Sequence, residues 1–178
     1  MEVRPEHPDQ QYQTHHLKIL LMLDKMLGRA DQYEKDLAVT ERHLKSNLGS
    51  ANGSSLDYKQ RDAMHYHVFD LEAWNEIVLV TGCCGQNVDR AFRFFENTLR
   101  ADPNHVEFAN STAPIDGKRA AGGFEYAKAQ SYDPHKAARA IFAYATIPGR
   151  TVSPALWKAA RDGSEHKDLF YQARYFLW

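Results

Sequence analysis

Apolar residues recur along most of the chain at intervals of three and four, the spacing of one face of an α-helix. "LKILLMLDKML" places Leu17, Leu20, Leu21, Leu23, Met26 and Leu27 in this pattern and predicts a helix from about 10 to 27, stopped by Gly28. "ADQYEKDLAVTERHLKSNL" predicts a second, with Tyr33, Leu37, Leu44 and Leu48 on one side and the loop "GSANGSS" at its end. A third is expected from Lys59 or Gln60 to Val80. Asp57 would cap it, Gly82 would stop it, and Met64, Val68, Leu71, Ile77 and Val78 form its core-facing stripe. "NVDRAFRFFENTLR" is a fourth, amphipathic helix, followed by the turn-rich "ADPNHVEFANSTAPIDG". "KRAAGGFEYAKAQ" reads as a helix weakened by its glycines. "DPHKAARAIFAYATI" reads as a firm one, with Asp133 as cap and Pro134 in the first turn. "VSPALWKAAR" and "HKDLFYQARYFL" predict shorter closing helices, and no strand pair is expected. The pattern predicts an all-α fold: a single helical domain over 1–178 built of stacked antiparallel helical hairpins.

A chain of 178 residues suffices for one domain with a real core. Its net charge of −1 supplies no overall basic field, so no nucleic-acid partner is expected. No apolar run approaches the roughly 20 residues that span a bilayer. The opening "MEVRPEHPDQ" is polar and does not read as a signal peptide, which leaves a cytosolic chain, or a mature form or fragment without its leader. Cys83 and Cys84 are adjacent; a bond between neighbours strains the peptide, so two buried thiols in the "TGCCGQN" turn are expected, too few ligands for a metal. Aromatics make up 12% of the chain, enough to pack a core and also to line a sugar-binding cleft.

Two stretches carry candidate chemistry. "LDYKQRDAMHYHVFDLEAW" gathers Arg61, His65, Tyr66, His67 and Phe69 at the start of the expected third helix. On one continuous helix Arg61 and His65 would be neighbours, as would Tyr66 and Phe69. His65 and His67 would diverge by about 160° and could not share one cleft. "QQYQTHH" sets the amides of Gln10 and Gln11, the phenol of Tyr12 and the imidazole of His15 at the start of the first helix, where amides and cations suit an anionic ligand. Each stretch also has a plainer reading: for the first, a polar helix start in solvent with one satisfied buried histidine; for the second, a frayed polar terminus. Asp89, Glu96, Glu107 and Asp116 are expected to be solvated or ion-paired.

"SSLDYKQRDAMHYHVFDLEAW", "HVEFANSTAPIDGKRAAG" and "YDPHKAARAIFAYAT", in that order, resemble segments of the alginate-lyase-like family, and "PDQQYQTHHLKI" resembles the segment where that family carries an Asn-Asn pair. The resemblance implies a partial α/α toroid, since the family's early helices have no counterpart here. It implies a polysaccharide lyase that cleaves a uronate-containing, alginate-type glycan by β-elimination, needs no metal or other cofactor, and works in a periplasmic or secreted setting. A base takes the C5 proton, an acid protonates the leaving glycosidic oxygen, and the uronate carboxylate is neutralised so that the developing dianion is tolerated. Carried onto this chain, Gln11, His15 and Arg61 neutralise the carboxylate, Gln10 helps bind substrate, Tyr66 is base and acid, His65 or His67 assists, and Tyr12 stacks on sugar. Three positions depart from the family: Gln10 and Gln11 replace the Asn pair, and Phe69 stands where the catalytic tyrosine is expected. Those departures keep two alternatives open, an inactive relative that binds anionic glycan and a helical scaffold for protein partners. An incomplete toroid would expose an apolar helix face and invite self-association.

Overall fold

The structure, a computed structural model, describes residues 11–125 and 128–158. Its elements are α1 (Gln11–Met26), α2 (Ala30–Asn47), α3 (Leu56–Arg61), α4 (Met64–Thr81), α5 (Gly85–Ala101), β1 (Val106–Glu107), α6 (Pro114–Ala121), β2 (Gln130–Ser131), a 3₁₀ turn (Pro134–Ala137) and α7 (Ala138–Ala145). The fold is mainly α-helical. A helix also begins at 154; the remainder of "VSPALWKAAR" and all of "HKDLFYQARYFL" lie outside the described residues.

α4 is the central element, and α1, α5 and α7 pack around it. Leu71, Trp74 and Ile77 of α4 are fully buried, against Leu21 of α1, Leu48 of α2, Phe92 and Phe95 of α5 and Ile141 of α7. Each such aliphatic or aromatic side chain contributes roughly 2 kcal/mol by leaving water. α1 runs parallel to α4: the Lys18 ammonium meets Glu76 at 3.3 Å, and Lys25 near the end of α1 donates to the Val80 carbonyl near the end of α4. α2 returns antiparallel to both, since His43 and Asn47 at its end meet Thr14 near the start of α1. The chain therefore stacks helical hairpins, as the apolar periodicity predicts.

Thr14, His43, Asn47 and Asp70 form a polar knot where α1, α2 and α4 meet. Thr14 Oγ1 and Asn47 Nδ2 both donate to the Asp70 carboxylate, and Thr14 Oγ1 is 2.8 Å from His43 Nε2. Burial pushes the Asp70 carboxyl up to about 7, against the opposing pull of these hydrogen bonds. The outer face of α1 carries Ile19, Leu23 and Met26, all exposed, and Leu27 just past its end is exposed as well.

Several local expectations are corrected. The third helix is two helices: Asp62 adopts the left-handed conformation at φ 50 and Ala63 is extended, so α3 and α4 are separate rods. Ser55, not Asp57, caps α3, its side chain accepting from the Tyr58 N–H. A strand pair exists: Val106 pairs Ser131 and Glu107 pairs Gln130, antiparallel. α6 starts at Pro114 and ends before Gly122 and Gly123, where "KRAAGGFEYAKAQ" alone had been expected to be helical. Cys83 and Cys84 are bonded to each other rather than left as two thiols. The backbone turns tightly there, with Gly82 at φ 73 and Cys84 at φ 70.

Candidate functional site

The break between α3 and α4 creates the site. A left-handed residue other than glycine costs roughly 1 kcal/mol or more, so neighbours must hold it. Asp62 is held on several sides. Its N–H donates to the Tyr58 carbonyl, its carbonyl accepts from the Phe108 N–H, and its carboxylate accepts from the backbone and side-chain nitrogens of Asn110. Thr112 adds its N–H and hydroxyl to the Gln60 carbonyl. These bonds fasten residues 106–116 across the junction and deliver Glu107, Phe108 and Asp116 to it.

Arg61 ends α3 and is 4% exposed. Its Nε lies 3.1 Å from both Asp116 carboxylate oxygens, and Nη2 reaches the same carboxylate. Ser111 Oγ donates to Asp116 at 2.7 Å. Arg61 Nη2 also donates to the Tyr66 hydroxyl at 3.1 Å, and the guanidinium lies 3.9 Å from the centre of the Tyr66 ring. Arg61 thus reaches across the break to Tyr66 and not to His65, as a continuous helix would have required. Burial raises the Tyr66 phenol above its usual range, outweighing the opposite pull of Arg61 and Arg119. Much of the Arg61 charge is matched by Asp116, so Tyr66 stays a neutral phenol near neutral pH.

His65 is the second residue of α4, where the helix leaves backbone N–H groups without partners. Glu107 Oε1 accepts from the His65 backbone N–H at 2.6 Å and lies 2.8 Å from His65 Nδ1. Ala63 at the cap position supplies no side-chain bond, so the carboxylate from β1 does that work. The rings of His65 and Tyr66 lie 3.9 Å apart, and Phe108 packs on both.

His67 faces the opposite way. It is fully buried, its Nδ1 accepts from the Ser55 N–H at 3.2 Å, and its Nε2 donates to the Ala91 carbonyl at 3.1 Å. Burial lowers its pKa to about 4. It is a neutral core histidine that no substrate reaches, and its expected assisting role is withdrawn.

The start of α1 meets α4 at Phe69. His15 Nε2 is 2.9 Å from the Phe69 carbonyl, and the two rings stack at 4.0 Å. Burial lowers the His15 pKa, more than the Phe69 carbonyl raises it. Tyr12 is 67% exposed and meets the Phe69 ring edge-on at 6.2 Å. Tyr66 and Phe69 are three residues apart on α4 and so about 4.5 Å apart along its axis, on neighbouring parts of one face. The arrangement is thus two adjoining clusters on α4, Arg61–Tyr66–His65 and Tyr12–His15–Phe69. The carry-over from the family has His15 and Arg61 meet one carboxylate, whereas here they fall in separate clusters. Gln10 and the Gln11 side chain lie outside the described residues.

Glu107 and Asp116 belong to the site although neither is among the residues expected there. Both are buried, at 0% and 3% exposure; of the two expected states, solvated or ion-paired, Asp116 takes the second with Arg61, and Glu107 meets His65. Their only advance signal is a carboxylate within a turn-rich stretch. Among the described residues no group of three or more His, Cys, Asp or Glu could hold a metal ion, and no helix is long and apolar enough to cross a membrane. A concavity of about 460 Å³ lies away from both clusters, lined by residues including Asp89, Arg93, Glu96, Tyr144 and Arg150, with Arg150 Nε 2.9 Å from Asp89. No family model, no curated protein and no solved structure matches this chain.

Proposed function

We propose that this chain is a polysaccharide lyase that cleaves a uronate-containing glycan by β-elimination at the α3–α4 junction, with Tyr66 delivering the proton to the leaving glycosidic oxygen. The observation that carries the reading is the bond from Arg61 Nη2 to the Tyr66 hydroxyl. Because the guanidinium can only donate, the phenol oxygen accepts there, and its own proton is free for another acceptor. A phenol kept neutral by burial and positioned by a cation suits a general acid. Arg61 and Arg119 both contribute positive potential at Tyr66, which suits a site that must tolerate a uronate carboxylate. Exposed Tyr12 and Phe69 supply apolar ring faces on which a pyranose stacks. The parallel α1 and α4 with their returning hairpins fit part of an α/α toroid, the arrangement that the resemblance implies.

One observation favours a second reading. Asp116 takes much of the Arg61 charge, leaving less of it for the substrate carboxylate. A site so balanced can hold an anionic glycan without turning it over. The test is direct: the purified chain is incubated with polymannuronate, polyguluronate and polyglucuronate, and the ultraviolet absorbance of unsaturated uronate ends is followed. Product from any of them supports the lyase. Retention of polymer without product supports the binding protein, and neither outcome leaves only the helical scaffold.

A further inference from the structure

We propose that the Cys83–Cys84 disulfide is a thiol–disulfide exchange site, opened by a dithiol reductant, and that its opening releases the first turn of α5. The proposal is independent of the lyase reading and concerns the opposite end of α4.

The bond joins neighbours in sequence. A disulfide stabilises a fold chiefly by closing a loop in the unfolded chain, and the gain grows with the length of that loop. No residue lies inside this loop, so the bond ties no distant parts together and adds little to global stability. What it fixes is the local backbone. It sits in the turn between α4 and α5, where Gly82 ends α4 at φ 73 and Cys84 takes φ 70. A left-handed residue with a Cβ costs roughly 1 kcal/mol or more, and the small ring closed with Cys83 restrains Cys84 there. Cys84 is also the residue from which α5 starts: its carbonyl accepts from the N–H groups of Asn87 and Val88 at 3.1 and 3.2 Å. On the α4 side, the Cys83 N–H donates to Thr81 Oγ1, which donates in turn to the Ile77 carbonyl. That side is therefore held without the sulfur bond, while the first turn of α5 depends on where the Cys84 carbonyl points.

Both cysteines are half-buried, so a small thiolate reaches the bond without unfolding the chain. The surroundings favour Cys84 as the leaving group. It stands at the N-terminal end of α5, a helix of 17 residues, and its side chain bonds to none of the N–H groups there. A thiolate at a helix N-terminus is stabilised by those groups. The Arg150 guanidinium lies against the next residue: a Cβ on Gly85 would stand 2.5 Å from its Nη2. That charge is shared with Asp89, which accepts from Arg150 Nε at 2.9 Å. The thiolate of the reductant bonds to the Cys83 sulfur, and the disulfide breaks with its electron pair on the Cys84 sulfur, which then takes a proton. The second thiolate of the reductant attacks the reductant sulfur in this mixed disulfide, closes the reductant's own disulfide and releases Cys83 as a thiol. Two electrons and two protons pass from the dithiol to the pair. The chain holds no cysteine besides these two, so the dithiol comes from outside it. With the ring open, Cys84 leaves the left-handed region and its carbonyl turns away from Asn87 and Val88.

The experiment has two arms. The full chain, purified without reductant, is treated with iodoacetamide and its mass is read. It is expected to take up no label under native conditions and one label on each cysteine after brief treatment with dithiothreitol, its helical circular dichroism intact throughout. Label on the untreated chain, or label after reduction only when denaturant is present, overturns the exchange site. Hydrogen exchange then compares the oxidised and reduced chains. The Asn87 and Val88 amides are expected to exchange at least about tenfold faster after reduction, while Leu71, Trp74 and Ile77 of α4 keep their protection. A chain carrying both Cys83→Ser and Cys84→Ser is expected to show the fast exchange without reductant and no response to it. Unchanged exchange at Asn87 and Val88 in the reduced or the doubly substituted chain refutes the release of α5. Loss of protection throughout α4 refutes it as well, because the bond would then hold the whole fold and not the turn.

Discussion

Replacing Asp70 with asparagine gives the sharpest test of the packing that seats α1 on α4. Asp70 is 1% exposed and its carboxyl is raised from 3.8 to about 7 by burial, with Asp57 adding to the shift. Between those values the folded chain keeps the proton that the unfolded chain has released. Unfolding therefore releases a proton, and stability falls as pH rises through this window. At roughly 1.4 kcal/mol per pH unit, the span from 3.8 to about 7 amounts to about 4 kcal/mol, present below the lower value and lost above the upper one. The asparagine side chain carries no ionisable group yet can still bond to Thr14 and Asn47. Urea unfolding of wild type and Asp70→Asn at a series of pH values isolates the effect, because other titrating groups cancel in the difference. Relative to wild type, the variant is expected to gain about 1.4 kcal/mol per pH unit up to about pH 7 and then level off. A difference that stays flat from acid to neutral pH would refute the reasoning, and with it the view that Thr14, Asn47 and Asp70 form a closed, dry knot.

Three further outcomes follow from the same geometry. His67→Ala removes a buried ring and leaves the Ser55 N–H and Ala91 carbonyl without their partner, at an expected loss of about 3 kcal/mol in denaturant unfolding. Asp116→Ala strands the Arg61 guanidinium at 4% exposure and is expected to cost about 3–5 kcal/mol, read by the same assay, with Asp116→Asn milder. Gly53→Ala places a Cβ 2.4 Å from the Arg90 carbonyl oxygen at φ +89, and a drop of at least about 1 kcal/mol is expected on thermal or chemical unfolding.

The long helices were legible because their apolar residues keep one period over several turns. Leu17 and Leu21, Leu44 and Leu48, and Phe92 and Phe95 are buried as that period requires. Stops at Gly28 and Gly82 were legible too, since both adopt positive φ, where glycine is unstrained. The α3–α4 break was not. Asp62-Ala63 contains neither glycine nor proline, and the turn is imposed by Asn110 and Phe108, distant in sequence. A two-residue strand pair leaves no alternating pattern to detect. Pro114 at the first turn of α6 was an available signal that the glycines further on obscured. The opposed directions of His65 and His67 followed from helix geometry, but which of them faced inward depended on Ala91 and Glu107. The burial of Glu107 and Asp116 is a property of their partners and is written nowhere in their own neighbourhood.

The measurement that bears most directly on the site is the pair of binding and turnover assays on Tyr66→Phe, which deletes one oxygen and keeps the ring beneath Arg61. The account expects the uronate polymer to bind within a few-fold of wild type while formation of unsaturated ends falls about 100-fold or more. A Tyr66→Phe protein that cleaves at the wild-type rate would contradict it.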